Sequence, residues 1–383
     1  MWNDRRRSTL FVLLTLVPVW LSGCGGHVIR PEFAPNQNGQ PFDFAKPPCR
    51  PGLRPELPPP TDEVTLRYLG TGGLYVEWQG NALLTGPFFS NPGLFRVPRG
   101  RLILDPDAVR RGLDGMDLYH VRAIAVGHSH YDHLADIPLI TEAYAPGARV
   151  YVNRTGAHAL APIRHLAGRL HTLEDQTDWI WLFDEDANKL PIRFRPVESE
   201  HAPHFWGIRL AGGKIDEDWT EDWTRRRLLS LRTGKTFAFV IDLMSADLRK
   251  PLFRIYHQDT ANPRNKGFPQ FETEDERCYD LAVLCMASFQ FVRKHPGSIL
   301  GRLKPRHVLV THYESFFRST RKPVHFVLFL TDWFANRFLH RTRSALRHNG
   351  VETAGPEGAV CGASSSGWTM PMPGEWVRFR VPG

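Results

Sequence analysis

His128-Ser129-His130-Tyr131-Asp132-His133 places four metal-ligating side chains within six residues. The mostly apolar run 121–127 precedes it and reads as a strand, so the polar cluster falls at that strand's C-terminal end. Imidazoles crowded there repel one another when protonated and are costly to bury without partners when neutral. A divalent cation removes both difficulties. His128 and His130 are two residues apart and can face one side of an extended or turning chain. Asp132 and His133 add a hard oxygen and a further nitrogen for a second ion close by. Imidazole with carboxylate suits zinc, with iron and manganese as the other fitting ions.

Outward from this cluster, strand and helix patterns alternate. Residues 64–69 and 74–78 read as strands around Gly70-Thr71-Gly72-Gly73, with a third strand at 82–85. The glycine-rich turn lacks the lysine and spacing of a phosphate-cradling loop, so a hairpin is the expectation. Further strands are expected at 149–153, 192–197, 236–242, 253–257, 281–286 and 307–311, with helices starting at Leu134 and over 296–303 and 324–346. Such interleaving points to a layered α/β domain. No repeat of solenoid period is present.

The wording of the opening cluster resembles the HxHxDH signature of the metallo-β-lactamase superfamily. That resemblance implies a four-layer αβ/βα sandwich with a two-metal site at one edge of two facing sheets. It also implies three more ligands, each following a strand. After Phe194-Arg195-Pro196-Val197 comes Glu198-Ser199-Glu200-His201-Ala202-Pro203-His204, in which His201 fits the third ligand of the first metal and His204 is its rival. His257-Gln258-Asp259-Thr260 is similar to the family's Gly-Asp-Thr, so Asp259 would bridge the metals. His312, in Thr311-His312-Tyr313-Glu314-Ser315-Phe316-Phe317, would complete the second site. The implied set is therefore His128, His130 and His201 for one ion and Asp132, His133 and His312 for the other, with two zinc ions the expected cofactors. The wording is most similar to the branch holding N-acyl-phosphatidylethanolamine-hydrolysing phospholipase D and ascorbate-6-phosphate lactonase. Two departures stand out: Gln258 where the family has glycine, and Gly86 where it often has an aspartate that props the ligand loop.

Two bridged ions lower the pKa of a bound water and polarise a phosphoryl or carbonyl oxygen, so no serine or cysteine nucleophile is required. Asp132 is the candidate catalytic carboxylate, a ligand that also orients the attacking water. Tyr131, His204 and Tyr313 are candidates for contacting substrate or assisting the leaving group. The other histidines, His257 among them, have no such context and read as ordinary.

The N-terminus carries a separate signal. Arg5-Arg6-Arg7 precede an apolar run over 10–21, too short to span a bilayer and arranged like a secretory signal. Leu21-Ser22-Gly23-Cys24 resembles the bacterial lipobox, which implies cleavage before Cys24 and its lipidation, and Gly25 after it implies outer-membrane retention facing the periplasm. Residues 1–23 thus read as a lipoprotein signal peptide, 24–62 as a proline-rich tether, and 63–383 as the hydrolase domain. Cys49, Cys278, Cys285 and Cys361 remain, an even set that allows up to two disulfides and contains no CxxC pair.

The net charge of +8 is spread along the chain without a long block of one sign, which argues against a nucleic-acid partner and suits an anionic lipid or phosphate surface. Two segments bear on substrate. Trp219 and Trp223 lie at helical spacing in an insertion, either as a membrane-facing flap or packed on the body. The expected helix over 324–346 carries aromatic residues beside Arg337, Arg341 and Arg343, which suits an interfacial helix or a core one. The expectation is a lipid-anchored binuclear hydrolase of phosphodiesters or esters, phospholipid-like substrates preferred. The alternatives are a lactonase or carboxylic-ester hydrolase of the same fold and a non-catalytic envelope lipoprotein that binds a partner.

Overall fold

A computed structural model describes residues 62–204, 207–221, 223–263, 265–269, 279–319, 321–349 and 367–381. The signal and tether segments, with Cys24 and Cys49, lie outside the described residues, as do Cys278 and Cys361. Cys285 is buried and unpaired.

Among the described residues fourteen strands form two mixed seven-stranded sheets. The first contains β1 (Glu63–Gly70), β2 (Gly73–Trp78), β3 (Asn81–Thr85), β4 (Val121–Ala125), β5 (Arg149–Val152), β6 (Leu170–Thr172) and, paired with β1, the C-terminal β14 (Trp376–Arg380). The second runs from β7 (Ile180–Phe183) through β8 (Lys189–Ser199), β9 (Thr236–Met244), β10 (Pro251–His257), β11 (Leu281–Cys285) and β12 (His307–Thr311) to β13 (Gly367–Thr369). β1 and β2 pair antiparallel through Gly70 and Gly73, so the glycine-rich stretch is a hairpin turn, with Gly70 at φ +98° and Thr71 at φ 54°. The strands from β3 to β6 and from β10 to β13 are parallel.

The helices are α1 (Pro106–Gly112), α2 (Tyr131–Leu134), α3 (Ile137–Ala143), α4 (Arg154–Leu160), α5 (Gly297–Leu303) and α6 (Asp332–Asn349). Three apolar layers hold them to the sheets. Leu66, Val76 and Trp78 of the first sheet meet Phe194, Phe239 and Ile255 of the second, and burial of each such side chain stabilises the contact by about 1.5–3 kcal/mol. Val109, Ile140 and Leu160 pack α1, α3 and α4 on the outside of the first sheet. Ile299, Leu300, Phe338 and Leu339 pack α5 and α6 on the outside of the second. The result is a four-layer αβ/βα sandwich.

One expectation is corrected, and one that was open between two readings is decided. The helix anticipated over 324–346 starts only at Asp332, because the preceding residues pair with the loop after β12: Ser315 N–H donates to His325 O and Val327 N–H to Tyr313 O. Trp219 and Trp223, open between a flap and packing on the body, share no helix, since only Trp223 lies in a single 3-10 turn, Trp223–Arg225. Their rings lie 5.7 Å apart inside the first sheet's outer core, and Trp219 N–H donates to His158 O. They pack on the body and form no flap.

Candidate metal centre

The clustered residues stand at the C-terminal ends of strands from both sheets. After β4 the chain is laced into its surroundings: Phe237 N–H donates to Gly127 O, Ser129 N–H to Thr233 O, and the Ser129 hydroxyl to Asn153 Oδ1. His130 then caps α2, whose single turn carries Asp132 and His133 inward. β8 delivers His201, β10 delivers Asp259 and β12 delivers His312. Glycine is required where the loops touch. A Cβ at Gly127 would lie 2.7 Å from both Asp259 oxygens, and one at Gly72 would lie 2.6 Å from Asp259 Cβ and 2.7 Å from His133 Cε1.

Three ligand groups result, each with its donor atoms within 4.8 Å of one another: His128, His130 and His201; His128, His133 and Asp259; Asp132, His133 and His312. Asp259 joins the outer two, with Oδ1 3.2 Å from His128 Nδ1 and Oδ2 3.5 Å from His133 Nδ1. Asp132 Oδ2 lies 3.5 Å from His133 Nε2 and 3.7 Å from His312 Nε2.

Hydrogen bonding assigns which ring nitrogens are free. The Thr233 hydroxyl donates to Ala211 O at 3.2 Å and therefore accepts from His130 Nε2–H at 2.7 Å, leaving His130 Nδ1 as the lone pair. His201 Nδ1–H donates to Ala202 O at 2.6 Å, leaving Nε2. His204 Nδ1 instead accepts from Leu210 N–H at 3.1 Å, which puts its proton on Nε2. His204 stacks on His201 at 4.9 Å but belongs to none of the three groups. Buried and without hydrogen-bond partners are His128 Nε2, both ring nitrogens of His133 and His312 Nδ1. Orphaned donors of this kind, beside two buried carboxylates, fit a divalent ion better than any packing role.

A buried carboxylate that the sequence reading passed over ties the second group together. Glu314 accepts from the Tyr68 hydroxyl at 2.5 Å and from Thr71 N–H, while the same Tyr68 oxygen accepts from His312 N–H at 2.7 Å. His312 sits at φ 52°, a left-handed conformation that costs a non-glycine residue of order 1 kcal/mol or more. Tyr68 on one side and Ala287 N–H on its carbonyl hold it there. Glu314 thus joins the His312 backbone to the 71–72 turn that touches Asp259 and His133.

The two departures from the expected wording have local accounts. The Gln258 amide turns to His295 Nε2 at 3.3 Å and to Tyr256. A Cβ at Gly86 would stand 2.8 Å from His133 O, so no aspartate fits there. Asp136 props the neighbouring loop instead, accepting from Phe89 N–H, Ser90 N–H and the Ser90 hydroxyl.

Tyr313 is corrected as a substrate-contacting candidate. It is fully buried in the second sheet's outer core, and its hydroxyl donates to Pro371 O at 2.7 Å. Tyr131 lies between Phe88 and Phe316, buried, with its hydroxyl free of hydrogen bonds. His257 is not an ordinary surface histidine: it is buried beneath Asp259, 3.4 Å from the Thr85 hydroxyl. Only proximity in the fold reveals Tyr68, Thr233 and Glu314, since none has a spacing that marks it.

Burial, reinforced by neighbouring imidazoles, holds His130, His133 and His201 well below the ordinary histidine value. Burial also lowers His312 to about 3 and His204 to about 4. All five are neutral at neutral pH, the form that ligates. Burial pushes Asp132 up to about 6. Burial acts in the same upward sense on Asp259, but His128 and its hydrogen bond outweigh it and hold that carboxyl below its usual value.

No protein-family model matches the chain, and no curated protein matches it. Similar solved structures include Igni18, described as a metallo hydrolase of Ignicoccus hospitalis, at 14% identity over 84% of this chain and 100% of that one, with a TM-score of 0.43. Bacillus subtilis YhfI, a metallo-beta-lactamase fold protein, is 11% identical over 83% and 100%, TM-score 0.42. CmlA, a diiron beta-hydroxylase of Streptomyces venezuelae, is 12% identical over 85% of this chain and 55% of that one, TM-score 0.44.

Glu314→Gln leaves one acceptor for two donors, and Tyr68→Phe removes the link to His312. Each should weaken the ion held by Asp132, His133 and His312 by about 10- to 100-fold while sparing the His128, His130 and His201 group, as read by chelator competition. Equal weakening of both steps would contradict the assignment. Acidity supplies a second test. Asp132 must lose its proton to ligate, whereas the imidazoles are already neutral, so affinity at its group should be full above about pH 7 and fall as pH drops through about 6. A loss centred on the ordinary histidine value with several protons displaced per ion would speak against it.

Proposed function

We propose that the protein is a hydrolase of phosphodiesters or esters that works with two divalent metal ions, zinc by preference, and acts on phospholipid-like substrates from a lipid anchor at Cys24. The observation that carries the reading is the set of buried imidazole nitrogens without partners beside Asp132 and Asp259. When bound there, such ions generate a nucleophile from water near neutral pH and polarise the substrate's oxygen.

The chain's own groups divide the remaining work. His128, His130 and His201 offer three nitrogens on one side, and Asp132, His133 and His312 offer a carboxylate and two nitrogens on the other. Asp259 faces both. Asp132 would orient the attacking water, since its Oδ2 lies 3.5 Å from His133 Nε2 and 3.7 Å from His312 Nε2. His204, neutral and protonated on Nε2, can donate to an oxygen of the substrate or leaving group. Phe88, Tyr131 and Phe316 supply apolar surface next to His312, with Phe316 5.4 Å from its ring.

Metal analysis of the purified chain should find two ions, and bis-p-nitrophenyl phosphate, a lactone and an N-acylated phospholipid offered in parallel should separate the ester classes. His130→Ala should remove one ion and lower turnover by at least the roughly 100-fold that loss of a supporting group costs. Metal content well below one ion per chain and unchanged in that variant would sink the reading. Bound metal with no ester turned over would favour a binding protein. For the anchor, Cys24→Ser should release the chain from the membrane fraction, and unchanged fractionation would refute lipidation.

A further inference from the structure

Two surface segments flanking the metal centre expose apolar side chains that the fold leaves uncovered. In the loop after β3, Phe95 is 85% exposed and Ile103 55%. In the loop after β8, Ile208 is 47% exposed and Leu210 44%. Side chains of this size left in water on two segments tied to one strip mark an interaction surface.

Both segments are fastened to residues 223–234. Leu102 N–H donates to Arg226 O, Leu228 N–H to Gly100 O, and Arg101 bridges Arg227. On the other side Thr233 N–H donates to Ala211 O and Gly234 N–H to Gly213 O. The same strip reaches the metal centre, because the Thr233 hydroxyl holds His130 while Ile208 O and Leu210 N–H bracket His204. The exposed apolar residues therefore belong to the segments that frame the site.

Their charge selects the partner. Arg96, Arg99, Arg101 and Arg227 are exposed, and none makes an ion pair among the described residues. Of the acidic side chains nearby, Asp216 pairs with Lys214, Asp218 with His158 and Glu221 with Arg226, while exposed Glu217 makes no ion pair among the described residues. Free arginines interleaved with protruding Phe and Ile side chains combine headgroup attraction with shallow insertion, the two terms of interfacial binding.

We propose that residues 93–104 and 207–210 seat the protein on an anionic lipid bilayer, holding the mouth of the metal centre against the headgroups. This goes beyond the hydrolase reading and does not require turnover. The buried Trp219 and Trp223 take no part; the contact belongs to Phe95, Ile103, Ile208 and Leu210.

Hydrogen exchange of the full chain in vesicles tests it, with phosphatidylglycerol-containing vesicles compared with phosphatidylcholine alone. An N-terminal anchor acts alike in both, so it cancels. Amides of 93–104 and 207–210 should exchange about tenfold more slowly on the anionic vesicles. The difference should vanish in Arg96→Glu/Arg99→Glu and in Phe95→Ser/Ile103→Ser, with β4 and β12 amides unchanged as the check on folding. Equal exchange on both lipids would overturn the proposal. So would protection that follows protein density instead of phosphatidylglycerol, which would assign the face to a second copy of the chain.

Discussion

Desolvated imidazole lone pairs are the constraint around which this edge of the two sheets is built. His128, His133 and His312 carry buried ring nitrogens without hydrogen-bond partners among the described residues. A buried polar atom without a partner costs on the order of 1–3 kcal/mol, so several in contact are tolerated only where something outside the polypeptide satisfies them. The surroundings sharpen the same demand. Thr233 and the Ala202 carbonyl occupy the other nitrogens of His130 and His201, which turns the remaining lone pairs toward one point.

Holding those lone pairs together requires both sheets. His128 to His133 follow a strand of the first sheet, while His201, Asp259 and His312 follow strands of the second. The apolar layer between the sheets, from Trp78 and Leu66 to Phe194 and Phe239, therefore sets ligand spacing as much as it sets stability. Close approach of the loops follows from glycine at 72, 86 and 127, where any side chain would strike a ligand or its backbone. Glu314 and Tyr68 work on the same scale. They link a strained His312 to the turn beneath Asp259, so the second ligand group is fastened from two directions.

Much of the centre was legible in the sequence. The His128 to His133 cluster, the strand preceding each further ligand and the hairpin around Gly70 are all local patterns, and local patterns survive folding. The choice between His201 and His204 was not legible. Both are histidines in one short loop, and only the hydrogen bonds to Ala202 O and from Leu210 N–H give their rings opposite tautomers. Tyr313 looked like a substrate contact because it neighbours His312, yet the turn at that ligand sends its ring into the core. Trp219 and Trp223 had helical spacing without sharing a helix, since periodicity cannot tell a buried loop from an amphipathic face.

By itself the sequence determined the layered α/β plan and a donor set suited to divalent metal, because strand periodicity and ligand chemistry depend on residues close together in the chain. The tertiary structure alone decided the support of that set by Thr233, Tyr68 and Glu314, the direction each imidazole faces, and the exposure of Phe95 and Ile103 beside free arginines. Those are contacts between segments far apart in sequence, and their energies arise only when the two sheets close on each other.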